Sequence, residues 1–298
     1  MNIFFMQSRN RYAPDDYQKN LDTIGNTGVN SLFLVPYLFS VNMSDDTVFS
    51  TTESISAQEF DSAVVCAQRK GFRIFIKPHV DLLDGTPRTS LSPVNITAWI
   101  DAYKKAIDPF ISIAAKREVT GFIVGTELDK IAAREEFSSV VDHVRKMFSG
   151  LVSYAASYDH FLDINWSLYD MIGVNAWYSL GNRRECTLCS LTESWNHWLC
   201  LLNDFAAGQR KKLLLTETGF RSQYSICANP GDWTSGTGIS VDQQADAYEA
   251  LLCQAGSFPR IAGIFFWQWE LGGSGGPTDI DYTPKGKPAQ IVIRKYWK

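Results

Sequence analysis

Two glutamates stand where carboxylates are rarely found, at the carboxyl ends of apolar runs. Glu217 closes Leu213-Leu214-Leu215-Thr216-Glu217-Thr218-Gly219, and Glu127 closes Gly121-Phe122-Ile123-Val124-Gly125-Thr126-Glu127-Leu128. Continuous apolar runs of this length read as strands buried on both faces of a parallel sheet. Side chains alternate along a strand, which predicts one shared face for Leu213, Leu215 and Glu217, and another for Ile123, Gly125 and Glu127. Two carboxyls facing each other over one pocket suit cleavage of a glycosidic bond. One stays protonated to donate to the leaving oxygen, while the other attacks the anomeric carbon or activates water. Mutual repulsion and unequal burial would separate their pKa values.

The rest of the chain supplies the elements needed to hold such a pair. Strands are expected at 2–7, 29–39, 72–80, 121–127, 151–155, 171–178, 213–217 and 261–270. Helices are expected between them at 15–26, 56–70, 95–116, 137–148, 192–207 and 241–256, with a closing helix from Lys287 onward. Ser56 and Glu59 stand at capping-box spacing. Strand and helix alternate, and the interval from Glu127 to Glu217 divides into three units of about 30 residues, the size of one βα repeat. The pattern predicts a single-domain α/β protein over 1–298, a (β/α)8 TIM barrel. No glycine-rich phosphate cradle follows the first strand, which weighs against an open dinucleotide-binding sheet.

In a barrel, function collects at the carboxyl ends of the strands. Those positions carry His79, Glu127, Tyr178, Glu217 and Trp267. Strands four and seven lie on opposite sides of the ring, so their glutamates would face across its mouth. Tyr178 is expected to donate its hydroxyl to Glu217, and Trp267, with Trp177 beside the site, offers a flat face to the C–H side of a pyranose. Asn175, His79 and Lys77 are candidates for bonding sugar hydroxyls. Lys77 shares parity with His79 and so points inward, where an ammonium needs a carboxylate or a sugar as partner. Trp195, Trp198, Trp233 and Trp269 also fall near the upper loops; Trp195 and Trp198, three apart on a helix, read as packing residues.

The motifs Gly125-Thr126-Glu127-Leu128, Thr216-Glu217-Thr218-Gly219-Phe220, Ile76-Lys77-Pro78-His79 and Phe266-Trp267-Gln268-Trp269 together resemble the retaining β-glycanases of clan A, most closely glycoside hydrolase family 113. Known members of that family are β-mannanases. The resemblance runs from the second strand to Gly286-Lys287-Pro288-Ala289. It implies Glu127 as general acid/base and Glu217 as nucleophile in hydrolysis of β-1,4-mannan, with no metal or organic cofactor. Many clan members carry Asn before the acid/base, where this chain has Thr126, so the contact to the sugar 2-hydroxyl differs. A retaining β-glucanase or an exo-β-mannosidase is the neighbouring alternative, and a sugar-binding barrel without turnover is the alternative of another class.

Composition narrows the partners. Hydrophobic residues make up 45% and charged residues 20%, an ordinary globular balance that can build a sizeable core. The net charge of −4 is spread without a basic block, which argues against nucleic acid. No run reaches membrane-spanning length; the partner implied by the paired glutamates and the resemblance is an oligo- or polysaccharide, met by a monomer. Met1–Gln7 lacks a basic leader and a small-residue cleavage site, so a cytoplasmic protein is the default expectation and a secreted mature form the alternative. Cys66 and Cys253 fall in apolar helical patterns and are expected as small buried thiols. Cys186, Cys189, Cys200 and Cys227 lie in or beside two long loops. These four are expected either as free thiols or in a bridge; since the loops after strands six and seven are neighbours in a barrel, the bridge would join Cys227 to Cys186 or Cys189.

Overall fold

Strands and helices alternate along the chain in the computed structural model, which describes residues 1–182, 186–234 and 236–298. The strands are β1 (Asn2–Phe5), β2 (Ser31–Ser40), β3 (Arg73–Ile76), β4 (His79–Leu82), β5 (Gly121–Thr126), β6 (Leu151–Ser157), β7 (Ile172–Asn175), β8 (Leu213–Thr218) and β9 (Ile261–Phe266). The helices are α1 (Pro14–Gly25), α2 (Ala57–Arg69), α3 (Ile96–Lys116), α4 (Asp129–Ala132), α5 (Ser138–Met147), α6 (Leu188–Gly208), α7 (Val241–Ala255) and α8 (Pro288–Trp297). At the start of α2, Ser56 and Glu59 form the capping box read from the sequence.

All strands pair in parallel in the order β1-β2-β3-β5-β6-β7-β8-β9, giving a nearly closed barrel of eight staves. The third stave is split. Pro78 lacks an N–H and cannot extend a ladder, so β3 pairs with the first half of β2 and β4 with its second half, Tyr37 standing opposite His79. Asn2 brings the two ends of the sheet together. Its carbonyl accepts from Trp269 N at 2.9 Å, and its buried amide donates to Thr216 O at 3.0 Å and Phe265 O at 3.3 Å.

Aromatic rings fill the inside of the barrel. Phe4, Phe33, Phe75 and Phe265 pack there with Val35, Ile123 and Leu214, the Phe33 and Phe265 centroids 4.0 Å apart. A second layer between sheet and helices takes Phe122, Val124, Leu213 and Leu215 together with Trp99, Tyr103 and Trp195.

This partition corrects the strict alternation expected of the two glutamate-bearing strands. Leu214, not Leu213 or Leu215, faces the barrel interior. Leu215 pairs with Ile264 and Thr218 with Phe266, so β8 carries one residue more than β9 over that interval. The same irregularity stands against β7, where Val174–Asn175 spans Leu215–Glu217. A single extra residue reverses the phase of everything beyond it. Glu217 therefore points inward although it is out of step with Leu214. In β5 the extra residue falls between Ile123 and Thr126. A Cβ on Gly125 would meet Tyr154, Phe137 and Leu128 of the outer layer, so Gly125 does not share the face of Ile123. Glu127 follows at φ 55°, in the left-handed region.

Several boundaries also move. The sixth stave stops at Asn175, before Tyr178, and the eighth at Phe266, before Trp267. Cys186 and Cys227 form a disulfide with 5.7 Å between Cα atoms, tying the loop after β7 to the loop after β8. Cys66 is only half-buried and Cys253 is exposed, so neither is the core thiol the helical pattern predicted. Among the described residues no helix is long and apolar enough to cross a membrane.

Candidate active site

Glu217 lies at the bottom of the mouth with its side chain 5% exposed. Three donors from two staves converge on it. Lys77, whose side chain is fully buried, pairs with Oε1, and His79 Nε2 stands 3.4 Å from the same oxygen. Trp177 Nε1 donates to Oε2 at 3.3 Å. Burial alone would raise the Glu217 pKa, but the Lys77 ammonium and the His79 ring outweigh it and hold the carboxyl at about 2. Of the two partners expected for an inward Lys77, a carboxylate or a sugar, the structure shows the carboxylate, and Nζ also lies 5.3 Å from the Phe33 ring centre and 5.4 Å from that of Trp267.

His79 is oriented from behind. Its Nδ1 is 2.6 Å from Arg88 Nη1. A guanidinium has only donors, so Nδ1 accepts and the ring proton sits on Nε2, facing Glu217. Burial and the Arg88 charge push the His79 pKa well below the ordinary value, keeping the imidazole neutral. The ring stacks on Trp267 at 5.5 Å and meets Tyr37 edge-on at 5.3 Å.

Glu127 occupies the other wall with its side chain 19% exposed. Asn175 Nδ2 donates to Oε1 at 3.0 Å, and Arg88 Nη1 lies 3.9 Å from Oε2. Thr216 Oγ1 donates to Asn175 Oδ1 at 2.7 Å, which fixes the amide with its nitrogen toward Glu127. Burial and the nearby Glu217 carboxylate raise the Glu127 pKa to about 7 against the opposing Arg88 charge. The two acids thus differ in protonation near neutrality. Thr126, where an asparagine was the clan pattern, turns Oγ1 to Pro78 O at 3.3 Å and is buried.

The residues singled out in the sequence divide accordingly. Glu127, Glu217, Lys77, His79, Asn175, Trp177 and Trp267 come together at one mouth. Asn175 is fully buried with both amide atoms engaged by protein, so it orients Glu127 and has no exposed atom for a sugar hydroxyl. Tyr178 is not the donor to Glu217. Its ring stacks on Trp198 at 4.2 Å, its hydroxyl has no hydrogen-bond partner among the described residues, and Trp177 makes the bond instead. The early end of β7 is the reason: with no ladder beyond Asn175, alternation no longer decides which of the two rings turns inward. Trp195 and Trp269 are buried packing residues, whereas Trp233 is 72% exposed. Arg88 and Asp81 were missed. They lie on β4 and the turn beyond it, where no periodicity marks them; the Arg88 guanidinium is paired to Asp81 through Nε at 3.0 Å and through Nη2.

Among the described residues no group of three or more His, Cys, Asp or Glu side chains could hold a metal ion. A parallel barrel with two unequal carboxyls across its mouth has the architecture of a glycoside hydrolase. The family model for glycoside hydrolase family 113 matches residues 1–287, and the chain belongs to that family. A search of the curated proteins finds no match. Among solved structures, a family 113 β-1,4-mannanase in a complex superposes with a TM-score of 0.89 at 20% identity, covering 100% of this chain and 97% of that one. A family 113 β-mannanase from Alicyclobacillus acidocaldarius gives 0.87 at 20% identity, covering 100% and 96%. A β-glucuronidase from Ruminococcus gnavus gives 0.67 at 14% identity, covering 97% of this chain and 47% of that one. These likenesses are to the fold.

Proposed function

We propose that this glycoside hydrolase cleaves β-1,4-mannosidic linkages in mannan or manno-oligosaccharides with retention of anomeric configuration. Family membership and the two mannanase-like superpositions support the substrate. The observation that carries the chemistry is the unequal partnering of the two acids: Lys77, His79 and Trp177 converge on Glu217, whereas Glu127 carries Asn175 and stands near its own proton-exchange point.

In this reading Glu127 gives its proton to the glycosidic oxygen as the Glu217 carboxylate attacks the anomeric carbon and the C–O bond to the leaving sugar breaks. Oε2, which accepts only the 3.3 Å bond from Trp177 Nε1 among the described residues, is the attacking oxygen, because Oε1 is ion-paired with Lys77 and faces His79. Glu127, now ionised, takes a proton from water, whose oxygen attacks the same carbon and releases Glu217. Two inversions give net retention. Trp267, half-buried beside Phe4 and His79, serves as the platform for the sugar at the cleaved bond. The test is proton NMR of the anomeric signal during the first minutes of mannohexaose hydrolysis. A β product appearing before mutarotation supports the reading, and an α product overturns it.

A further inference from the structure

Arg88 touches both halves of the site while being anchored outside it. Its Nε and Nη2 are held by Asp81, Nη1 reaches His79 Nδ1 at 2.6 Å, and the same nitrogen lies 3.9 Å from Glu127 Oε2. Its side chain is 14% exposed and sits in the turn after β4, outside the four motifs that carry the family resemblance. A planar guanidinium with five fixed donors can occupy three directions at once, which an ammonium cannot.

We propose that Arg88 is a positioning residue that couples the two carboxyls: through His79 it sets the donor presented to Glu217, and directly it supplies the cation that faces Glu127 each time that group ionises. This rests on the assignment of Glu127 as acid/base and Glu217 as nucleophile. The first half follows from proton bookkeeping. With Nδ1 accepting from Arg88, the His79 proton can only be on Nε2, toward Glu217. Without Arg88 the proton can move to Nδ1 and leave a lone pair facing a carboxylate. The second half follows from charge. The groups that act on Glu127 are Asn175 from β7, Glu217 from β8, Asp129 from α4, Lys77 between β3 and β4, and Arg88; both cations favour the ionised form by charge, but Lys77 is paired with Glu217, and Arg88 is the one in ion-pair contact with Glu127, at 3.9 Å. Between the two chemical steps Glu127 is an anion beside a Glu217 whose charge is tied up in the ester, and the guanidinium is the counter-charge already in place.

The two contributions separate by substitution. Arg88→Met removes both, whereas Arg88→Lys keeps the charge but cannot hold Asp81, His79 and Glu127 together. Asp81→Asn keeps the guanidinium and loosens its anchor. With mannohexaose as substrate, Arg88→Met is expected to lower kcat roughly ten- to a hundredfold and to move the basic limb of the kcat/KM profile up by about one pH unit. Arg88→Lys is expected to return the basic limb toward wild type while kcat stays low. Asp81→Asn is expected to lower kcat with little movement of the limb. Circular dichroism and thermal melts establish that each variant is folded. Wild-type kcat and an unmoved basic limb in folded Arg88→Met overturn the inference, as does full recovery of kcat in Arg88→Lys. The underlying assignment is checked apart from this by azide rescue of Glu127→Ala on a dinitrophenyl β-mannobioside. Rescue with a silent Arg88→Met sinks the coupling alone; an azide-insensitive Glu127→Ala sinks the assignment beneath it.

Discussion

Lys77 and Glu217, 140 positions apart in sequence, form an ion pair in which neither side chain is more than 5% exposed. Such a pair is costly to bury and more costly to break, because the surviving charge has no partner. Lys77→Met is therefore expected to raise the Glu217 pKa from about 2, since burial then acts with His79 as the remaining counterweight. With Glu217 as the proposed nucleophile its ionised form is the active one, so the acidic limb of kcat/KM on mannohexaose should move to higher pH. The variant should also lose about 3 kcal/mol of stability near neutrality, read by urea denaturation.

Glu217→Ala and Glu127→Ala should each remove most turnover while leaving the circular dichroism spectrum unchanged. Loss of an acid/base group costs about a hundredfold or more. Near-normal activity in either variant would remove that residue from the mechanism.

The Glu127 pKa of about 7 links activity to stability. Activity on an unactivated mannoside should fall as pH rises through about 7, where the acid loses its proton. Because the folded value lies above the ordinary glutamate value of 4.5, the stability associated with the neutral carboxyl is fully present below about 4.5 and is lost as pH rises through about 7. Glu127→Gln removes that dependence. Its stability relative to wild type should improve by about 2 kcal/mol between pH 4 and pH 8, measured by denaturant melts at the two values.

Trp177 and Tyr178 make opposite predictions for adjacent aromatics. Trp177→Phe removes the donor to Glu217 Oε2 and should lower kcat about tenfold, the worth of one hydrogen bond to a charged group. Tyr178→Phe removes a hydroxyl that bonds nothing among the described residues and should leave kcat unchanged. Equal effects from the two would return Tyr178 to the nucleophile's side.

The Cys186–Cys227 bridge closes a loop of 41 residues. Under oxidising conditions, thiol titration in denaturant should find the four free groups Cys66, Cys189, Cys200 and Cys253. Chain-entropy arithmetic for a loop of that size gives about 4 kcal/mol of stabilisation, lost in Cys227→Ser. Six free thiols would refute the bridge.

Much of this was legible before any coordinates. Alternating apolar runs and amphipathic stretches located every stave, and an inward lysine at Lys77 required a carboxylate or a sugar, of which the structure shows the carboxylate. What periodicity could not register was the extra residue in β5 and β8. The bulge in β8 leaves no compositional mark, because Thr216 is at home in an ordinary strand, whereas Gly125 inside the β5 run was the signal that could have found the other. Both glutamates were placed at the mouth on an alternation that the structure breaks twice. Arg88 was invisible for a related reason: in a turn a charged residue reads as solvated, and only three-dimensional closure brings Asp81, His79 and Glu127 around it. Asn175 was placed correctly and given the wrong partner, because the hydroxyl that claims its oxygen belongs to Thr216 on the next stave.

The offsets in β5 and β8 also divide each of these staves into two sections that answer to different demands. Below the offset, Ile123 and Leu214 need only fill space among phenylalanine rings; above it, Glu127 and Glu217 are aimed by contacts that the lower section does not make. The two sections meet through Phe33, whose ring lies beneath the Lys77 ammonium, and Phe4, which stacks on Trp267, so a change of volume at either ring in the foundations would be felt at the rim, whereas Ile123 and Leu214 answer only to the space around them.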